Sequence, residues 1–253
     1  LWGICGGLLA VCIVASVTAG AAFRRNVVCT GVDISIIDST QNSFVTKADV
    51  KGYIDKEYGR YIGAKTDNID LTRIEDIIDG RSAVLKSQAY FTNDGIMHIN
   101  VSQRKPVVRF QKSDGGFYAD ADGYIFPLQR SYASHVHVID GNIPLAANSG
   151  YKGAIEDPKE RAWFEGMMKV VNHIEKSRTW KDKIVQISID NGGDIILIPR
   201  EGNERFVFGH ASDIEEKFSK MEKYYTHIVP AKGADHYRTV DLKFKGQIVC
   251  RKK

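Results

Sequence analysis

From Leu1 to Phe23 the chain carries no charged side chain and almost only apolar or small residues, and the run then stops at Arg24 and Arg25. A helix of that length spans ~34 Å, against ~30 Å for the hydrocarbon core of a bilayer. The stretch is therefore expected to be an uncleaved membrane anchor. A secretory signal is the alternative, because Ala19-Gly20-Ala21 offers the small residues of a cleavage site. Signals, however, use an apolar region of roughly 7 to 15 residues, shorter than this one. Arg24 and Arg25 taken alone argue for keeping the downstream domains in the cytoplasm, yet long domains translocate largely regardless of flanking charge. The bulk of the chain is expected outside the cytoplasm, on a single-pass anchor in the inner (cytoplasmic) membrane.

Beyond Arg25 the texture is that of a water-exposed polypeptide. With 26% charged and 43% hydrophobic residues over 253 positions, it has enough apolar side chains for a core, and the length suits two small domains. A net charge of +4 is too mild to point to nucleic acid, and no Lys/Arg block with interleaved aromatics occurs. Cys5 and Cys12 lie in the apolar run, Cys29 just past it and Cys250 near the end, with no CxxC. Cys29 and Cys250 are expected to be unpaired and not to hold a metal, which needs closely spaced ligands.

The first stretch alternates as Val32 to Ile37 and predicts a strand. Thr46 followed by Asp49 predicts a capped helix with Val50, Ile54 and Tyr58 on one face, ending at Gly59. A second helix is expected after Asp70, with Leu71, Ile74, Ile77 and Ile78 together and Gly80 as its stop. Ser82 to Tyr90 and Ile96 to Gln103 alternate around Asn93-Asp94-Gly95, a hairpin signal in which both central positions are expected at positive φ. The order strand, helix, helix, strand, strand is an α+β module with two helices on one side of a three-stranded sheet. It resembles a POTRA domain, a module that works by docking other chains.

From Arg104-Lys105-Pro106 onward short strands repeat, turning at Asp114-Gly115, Asp122-Gly123 and Asn191-Gly192-Gly193. Further strands are expected over His135 to Ile139, Ile184 to Asp190, Asp194 to Ile198 and Arg205 to Phe208, with a last one from Thr239 to about Arg251. Two helices interrupt them. Asp157 and Pro158 start the first, with Trp163, Met167, Val170 and Ile174 inward. Ser212 and Glu215 suggest a capping box for the second, with Ile214, Phe218, Met221 and Tyr225 inward and Lys217, Lys220 and Lys223 suiting the helix dipole.

An apolar anchor, a POTRA-like module and a strand-rich region succeed one another here. The last carries Arg104-Lys105-Pro106-Val107, then Tyr118-Ala119-Asp120-Ala121-Asp122-Gly123-Tyr124-Ile125-Phe126-Pro127-Leu128, and finally Thr239-Val240-Asp241-Leu242-Lys243-Phe244. In order and spacing the whole chain resembles the FtsQ/DivIB family of bacterial cell-division proteins, with Gln103 standing where that family often has Glu. The resemblance implies an α+β architecture: a transmembrane anchor at 1–23, a POTRA-like domain (β-α-α-β-β) at 27–109, and a mainly antiparallel β domain with two packed helices at 110–253. It also implies a non-enzymatic scaffold at the division septum that binds the single-pass proteins FtsB and FtsL through its last strand and the preceding helix. The residues so marked are Tyr225, Val240, Leu242, Lys243, Phe244, Gly246, Gln247, Ile248 and Val249. Independently, a terminal strand often lies at a sheet edge, where unpaired backbone groups can accept a strand from another chain. An interior or capped strand is the competing reading.

Catalytic and metal chemistry find little in the sequence. Asp120 and Asp122 before Gly123 resemble part of a calcium loop, but its first and twelfth positions would be Tyr118 and Gln129, so a hairpin turn is expected instead. His135 and His137 share a strand face without a visible third ligand and are expected to be exposed polar positions. No nucleophile elbow, zinc-protease or phosphate-loop motif is present, and no cofactor or small-molecule substrate is expected. A POTRA module could also serve an envelope-assembly factor not tied to division. A barrel-forming protein would need long uninterrupted amphipathic strands, which the two helices break up.

Overall fold

The computed structural model describes residues 27–38, 43–129 and 132–252. The expected anchor at 1–23 lies outside them, and no helix among the described residues is long and apolar enough to cross a membrane. The chain divides into two compact units between Arg104 and Lys105. The division precedes Arg109 because Pro106–Lys112, which a boundary at 109 would cut in two, pairs wholly within the second unit.

The first unit contains β1 (Gly31–Ile36), α1 (Lys47–Glu57), α2 (Leu71–Asp79), β2 (Val84–Phe91) and β3 (Ile96–Gln103). Its sheet runs β1-β3-β2, with β1 parallel and β2 antiparallel to the central β3. β3 takes the centre because its alternation is complete: Met97, Ile99 and Val101 are buried with Val50, Ile54, Ile74 and Ile78 of the helices, while His98, Asn100 and Ser102 stay half-exposed. Thr46 and Asp49 form the reciprocal capping box that starts α1, and the Asp70 carboxylate accepts the Arg73 amide at the start of α2.

The β2–β3 turn departs from expectation in one detail. Gly95 has φ +81 but Asp94 does not leave the ordinary negative-φ region. The Gly95 amide bonds back to Thr92 O at 3.0 Å, and the Asp94 carboxylate accepts the Ile96 amide and the Thr92 hydroxyl. This is a tight turn closed by one left-handed glycine. A Cβ on Gly95 would stand 2.2 Å from Val28 O. Gln103 is buried; its side-chain oxygen accepts the Val45 amide at 2.8 Å and its NH2 donates to Asp38. A Glu there would set two carboxylates together, which accounts for the amide.

The second unit contains β4 (Pro106–Lys112), β5 (Gly115–Asp120), β6 (Tyr124–Pro127), β7 (His137–Gly141), β8 (Gly153–Ala154), α3 (Pro158–Lys176), β9 (Ile184–Ile189), β10 (Ile195–Pro199), β11 (Arg205–Gly209), α4 (Ile214–Lys223), α5 (Val229–Lys232), β12 (Thr239–Asp241) and β13 (Val249–Arg251). All its strands join one ten-stranded sheet in the order β13-β12-β11-β10-β9-β7-β4-β5-β6-β8. Most neighbours are antiparallel, but β4–β7, β7–β9 and β11–β12 are parallel pairs. Parallel neighbours need a crossover: the β5–β6 segment lies between β4 and β7 in the chain, α3 between β7 and β9, and the α4–α5 segment between β11 and β12. Both helices pack on one apolar cluster that includes Phe110, Phe117, Phe164, Phe206, Phe208, Phe218 and Met221. They meet where His173 stacks on Phe218 at 4.2 Å.

The start of α3 is as expected, with Asp157 accepting the Lys159 and Glu160 amides. The start of α4 is not. Asp213, at φ 49, is its first flanking residue and no side chain caps it. Glu215 turns instead to His173, at 3.3 Å, and Ser212 stands 3.5 Å from the Lys217 ammonium, which donates to His210 O. Lys217 and Lys220 are buried rather than solvated. Between α4 and α5 one π turn, Tyr224–Ile228, keeps the helix continuous ahead of Pro230, whose ring lacks the N–H of a regular turn.

The Asp120 side chain accepts the Asp122 and Tyr124 amides and Gly123 lies at φ +76, so this stretch is a hairpin turn. Asp190 does the same for Gly192 and Asp194. His137 is buried, with Glu175 Oε1 at 3.0 Å from Nε2, and is not an exposed strand position; His135 precedes β7 and is exposed. Among the described residues, no three His, Cys, Asp or Glu side chains converge as metal ligands, and Cys29 and Cys250 are free thiols.

Candidate partner-docking edge

The expected single strand from Thr239 to Arg251 is two short strands with a turn between them. Thr239–Asp241 lies parallel to β11, and Val249–Arg251 folds back antiparallel onto it. Glycine and exposed polar residues at Lys245-Gly246-Gln247 break the run: Gly246 adopts φ +68 and the Gln247 amide bonds back to Phe244 O at 3.2 Å. The sheet therefore ends at β13, and β12 is interior.

This splits the residues marked from sequence into three groups. Val240 and Leu242 are both 0% exposed in the apolar cluster and support the edge from inside. Lys243, Phe244, Gly246 and Gln247 come together on the exposed turn, with Phe244 48% exposed, while Ile248 and Val249 are half-buried where the chain re-enters the sheet. Tyr225 stands apart on the helix. Its ring packs against Trp180 and Phe206, its hydroxyl donates to Glu204 Oε1 at 2.7 Å, and the Lys183 ammonium lies 4.8 Å over its face. Burial and the Glu204 carboxylate push the Tyr225 phenol far above its ordinary pKa. With Pro199, Glu204 and Val229 it lines a cavity of about 470 Å³.

Three residues essential to the geometry were not marked from sequence. Lys220 donates to Leu242 O at 3.1 Å and Phe244 O at 2.7 Å, and pairs with Glu216 at 2.9 Å. Glu216 also accepts the Gly246 amide at 3.1 Å. Asp194 pairs with Lys243 at 2.6 Å, and that hydrogen bond raises the pKa of Lys243. The Glu216 to Lys220 spacing was visible as an i,i+4 pair, but such pairs are ordinarily solvated. Only the tertiary structure shows that this one faces a turn.

Phe244 is thus exposed beside the terminal strand, while Val240 and Leu242 are buried. Residues 105–251 match the family model for FtsQ/DivIB, C-terminal related, and residues 27–102 match that for POTRA-like domains. These matches place the chain in the class of POTRA-bearing proteins associated with bacterial cell division. The first of them covers more than half of the chain, and the chain belongs to the FtsQ/DivIB family. No individual curated protein matches it.

Proposed function

We propose that this protein is a non-enzymatic, inner-membrane-anchored scaffold of the division complex, and that its second domain binds FtsB- and FtsL-type single-pass partners by adding a partner strand to β13. The observation that carries this reading is the terminal position of β13 in the ten-stranded sheet, with Phe244 exposed beside it. Family membership supports the division context. A strand added at such an edge draws affinity from main-chain hydrogen bonds and specificity from flanking side chains, and a protruding aromatic is the common anchor for the second. The POTRA-like domain would serve as a further docking module nearer the anchor, and the assembly would help coordinate septal wall synthesis.

The test is fluorescence microscopy of an N-terminal fusion in dividing cells, followed by depletion of the native protein. Mid-cell bands and filamentation on depletion support the division scaffold. Uniform envelope signal with normal division overturns it in favour of a POTRA-containing envelope-assembly factor. Phe244→Arg is expected to abolish co-purification of the organism's FtsB-type protein while the domain stays folded; retained binding counts against β13 as the edge.

A further inference from the structure

The turn that shapes this edge has little apolar support of its own. Lys243, Phe244, Lys245, Gly246 and Gln247 are all exposed, and β12 and β13 share a short ladder from Thr239↔Arg251 to Asp241↔Val249. What holds it is a charge reaching out of the helix beneath. The Lys220 side chain is only 7% exposed, and its ammonium finds Leu242 O, Phe244 O and Glu216 Oε1. An ammonium has three donors, so none is left over, which is the condition under which a buried charge is tolerated. Glu216 adds the Gly246 amide, and that bond together with Lys220 holds its carboxyl below the usual range. One ion pair on α4 thus grips three peptide groups of the turn.

We propose that Lys220, with Glu216, is the positioning residue of the docking edge: the pair fixes the Leu242–Ile248 turn so that Phe244 projects and β13 lies in register on β12, while the rest of the domain folds without it. This rests on the reading of β13 as the docking edge. The Lys243–Asp194 bond does not substitute for the pair, because it ties down a half-exposed side chain at the start of the turn and no peptide group of it. Nor does the apolar base, since Leu242 is anchored before the turn and Ile248 only half-buried after it.

The test compares Lys220→Met, which keeps the aliphatic stem, and Glu216→Gln, which keeps an acceptor for Gly246, with the unaltered whole chain. Hydrogen exchange is followed by mass spectrometry, and binding with the soluble part of the organism's own FtsB-type protein as probe. Lys220→Met is expected to speed exchange of 239–251 and weaken binding, each by about tenfold, near the low end of what a charged hydrogen bond contributes. Glu216→Gln should do the same to a smaller degree, and exchange over β9 and β10 should not change. Unchanged exchange at 239–251 in Lys220→Met overturns the proposal. So does a loss of protection spread evenly over the sheet, which would make Lys220 a general determinant of folding. If the unaltered chain fails to bind the probe but Lys220→Met still loosens 239–251 selectively, the docking reading fails and the clamp stands.

Discussion

The two units each present a strand at the edge of a sheet, and they treat it in opposite ways. On β2 the Ser87 amide is taken by Asp79 Oδ1 at 2.6 Å and the Ala89 amide by Glu75 Oε1 at 2.7 Å, both carboxylates coming from α2. The helix that covers the face of that sheet thereby also closes its edge. β13 has β12 as its neighbour and, among the described residues, no such cover on its other side. Unpaired strand edges invite unwanted pairing, and closing them with charged side chains is a common remedy. A chain that closes β2 this way and leaves β13 open gives the open edge a meaning that openness alone would not carry.

The largest expected effect tests whether the open edge is built on a solid base. Leu242→Ala should lower stability by ~2–5 kcal/mol in urea unfolding, since it empties a fully buried site beneath the turn. Phe244→Ala, two residues on, should change it by no more than ~0.5 kcal/mol. Equal losses at the two positions would mean that the turn packs as core and that the contrast is false. Next comes the closed edge. Glu75→Ala with Asp79→Ala leaves two strand amides without acceptors and should cost ~2 kcal/mol in total. It should also make the protein associate at high concentration, read by sedimentation velocity, because β2 becomes available for pairing. Glu75→Gln keeps an acceptor for Ala89 and should remain monomeric. A monomeric double variant would show that the carboxylates are not what closes β2.

The closed edge could not be read from sequence, and the open one only in part. Periodicity located α1, α2, β2 and β3 because Val50, Ile54, Ile74 and Ile78 repeat at helical spacing and Met97, Ile99 and Val101 at strand spacing, and local chemistry alone decides such patterns. Thr46 and Asp49 cap α1 as their spacing implies. Ser212 and Glu215 have comparable chemistry, yet long-range partners claim them: Glu215 goes to His173 and Ser212 faces Lys217. The terminal run illustrates the same limit. Val240, Leu242 and Phe244 alternate as one strand would, but Gly246 at φ +68 reverses the chain and leaves the first two inside the core and the third outside. Lys220 could not be singled out among its neighbours, because a lysine at helical spacing looks solvated until the turn it holds is folded over it.

The smallest effect concerns the middle of the ten-stranded sheet, away from its own two edge strands. His137 on β7 is buried, and burial pushes its pKa below the ordinary histidine value, against the opposing pull of Glu175. Burial prevails because Glu175 is 42% exposed, stands 3.0 Å from Nε2 without a well-directed hydrogen bond, and also pairs with Lys181. The folded state therefore holds the imidazole neutral at a pH where the unfolded chain, with its pKa of ~6.5, has begun to take up a proton. This contribution to stability is complete above that value, declines as pH falls below it, and levels off once the folded-state pKa is passed. His137→Gln should flatten that part of the urea-midpoint profile below pH ~6.5, by less than the Leu242 effect, and should leave partner binding unchanged. A wild-type midpoint that rises as the pH is lowered through this window would mean that the Glu175 charge outweighs burial, and the centre of the sheet would then be stabilised by an ion pair rather than by a neutral ring.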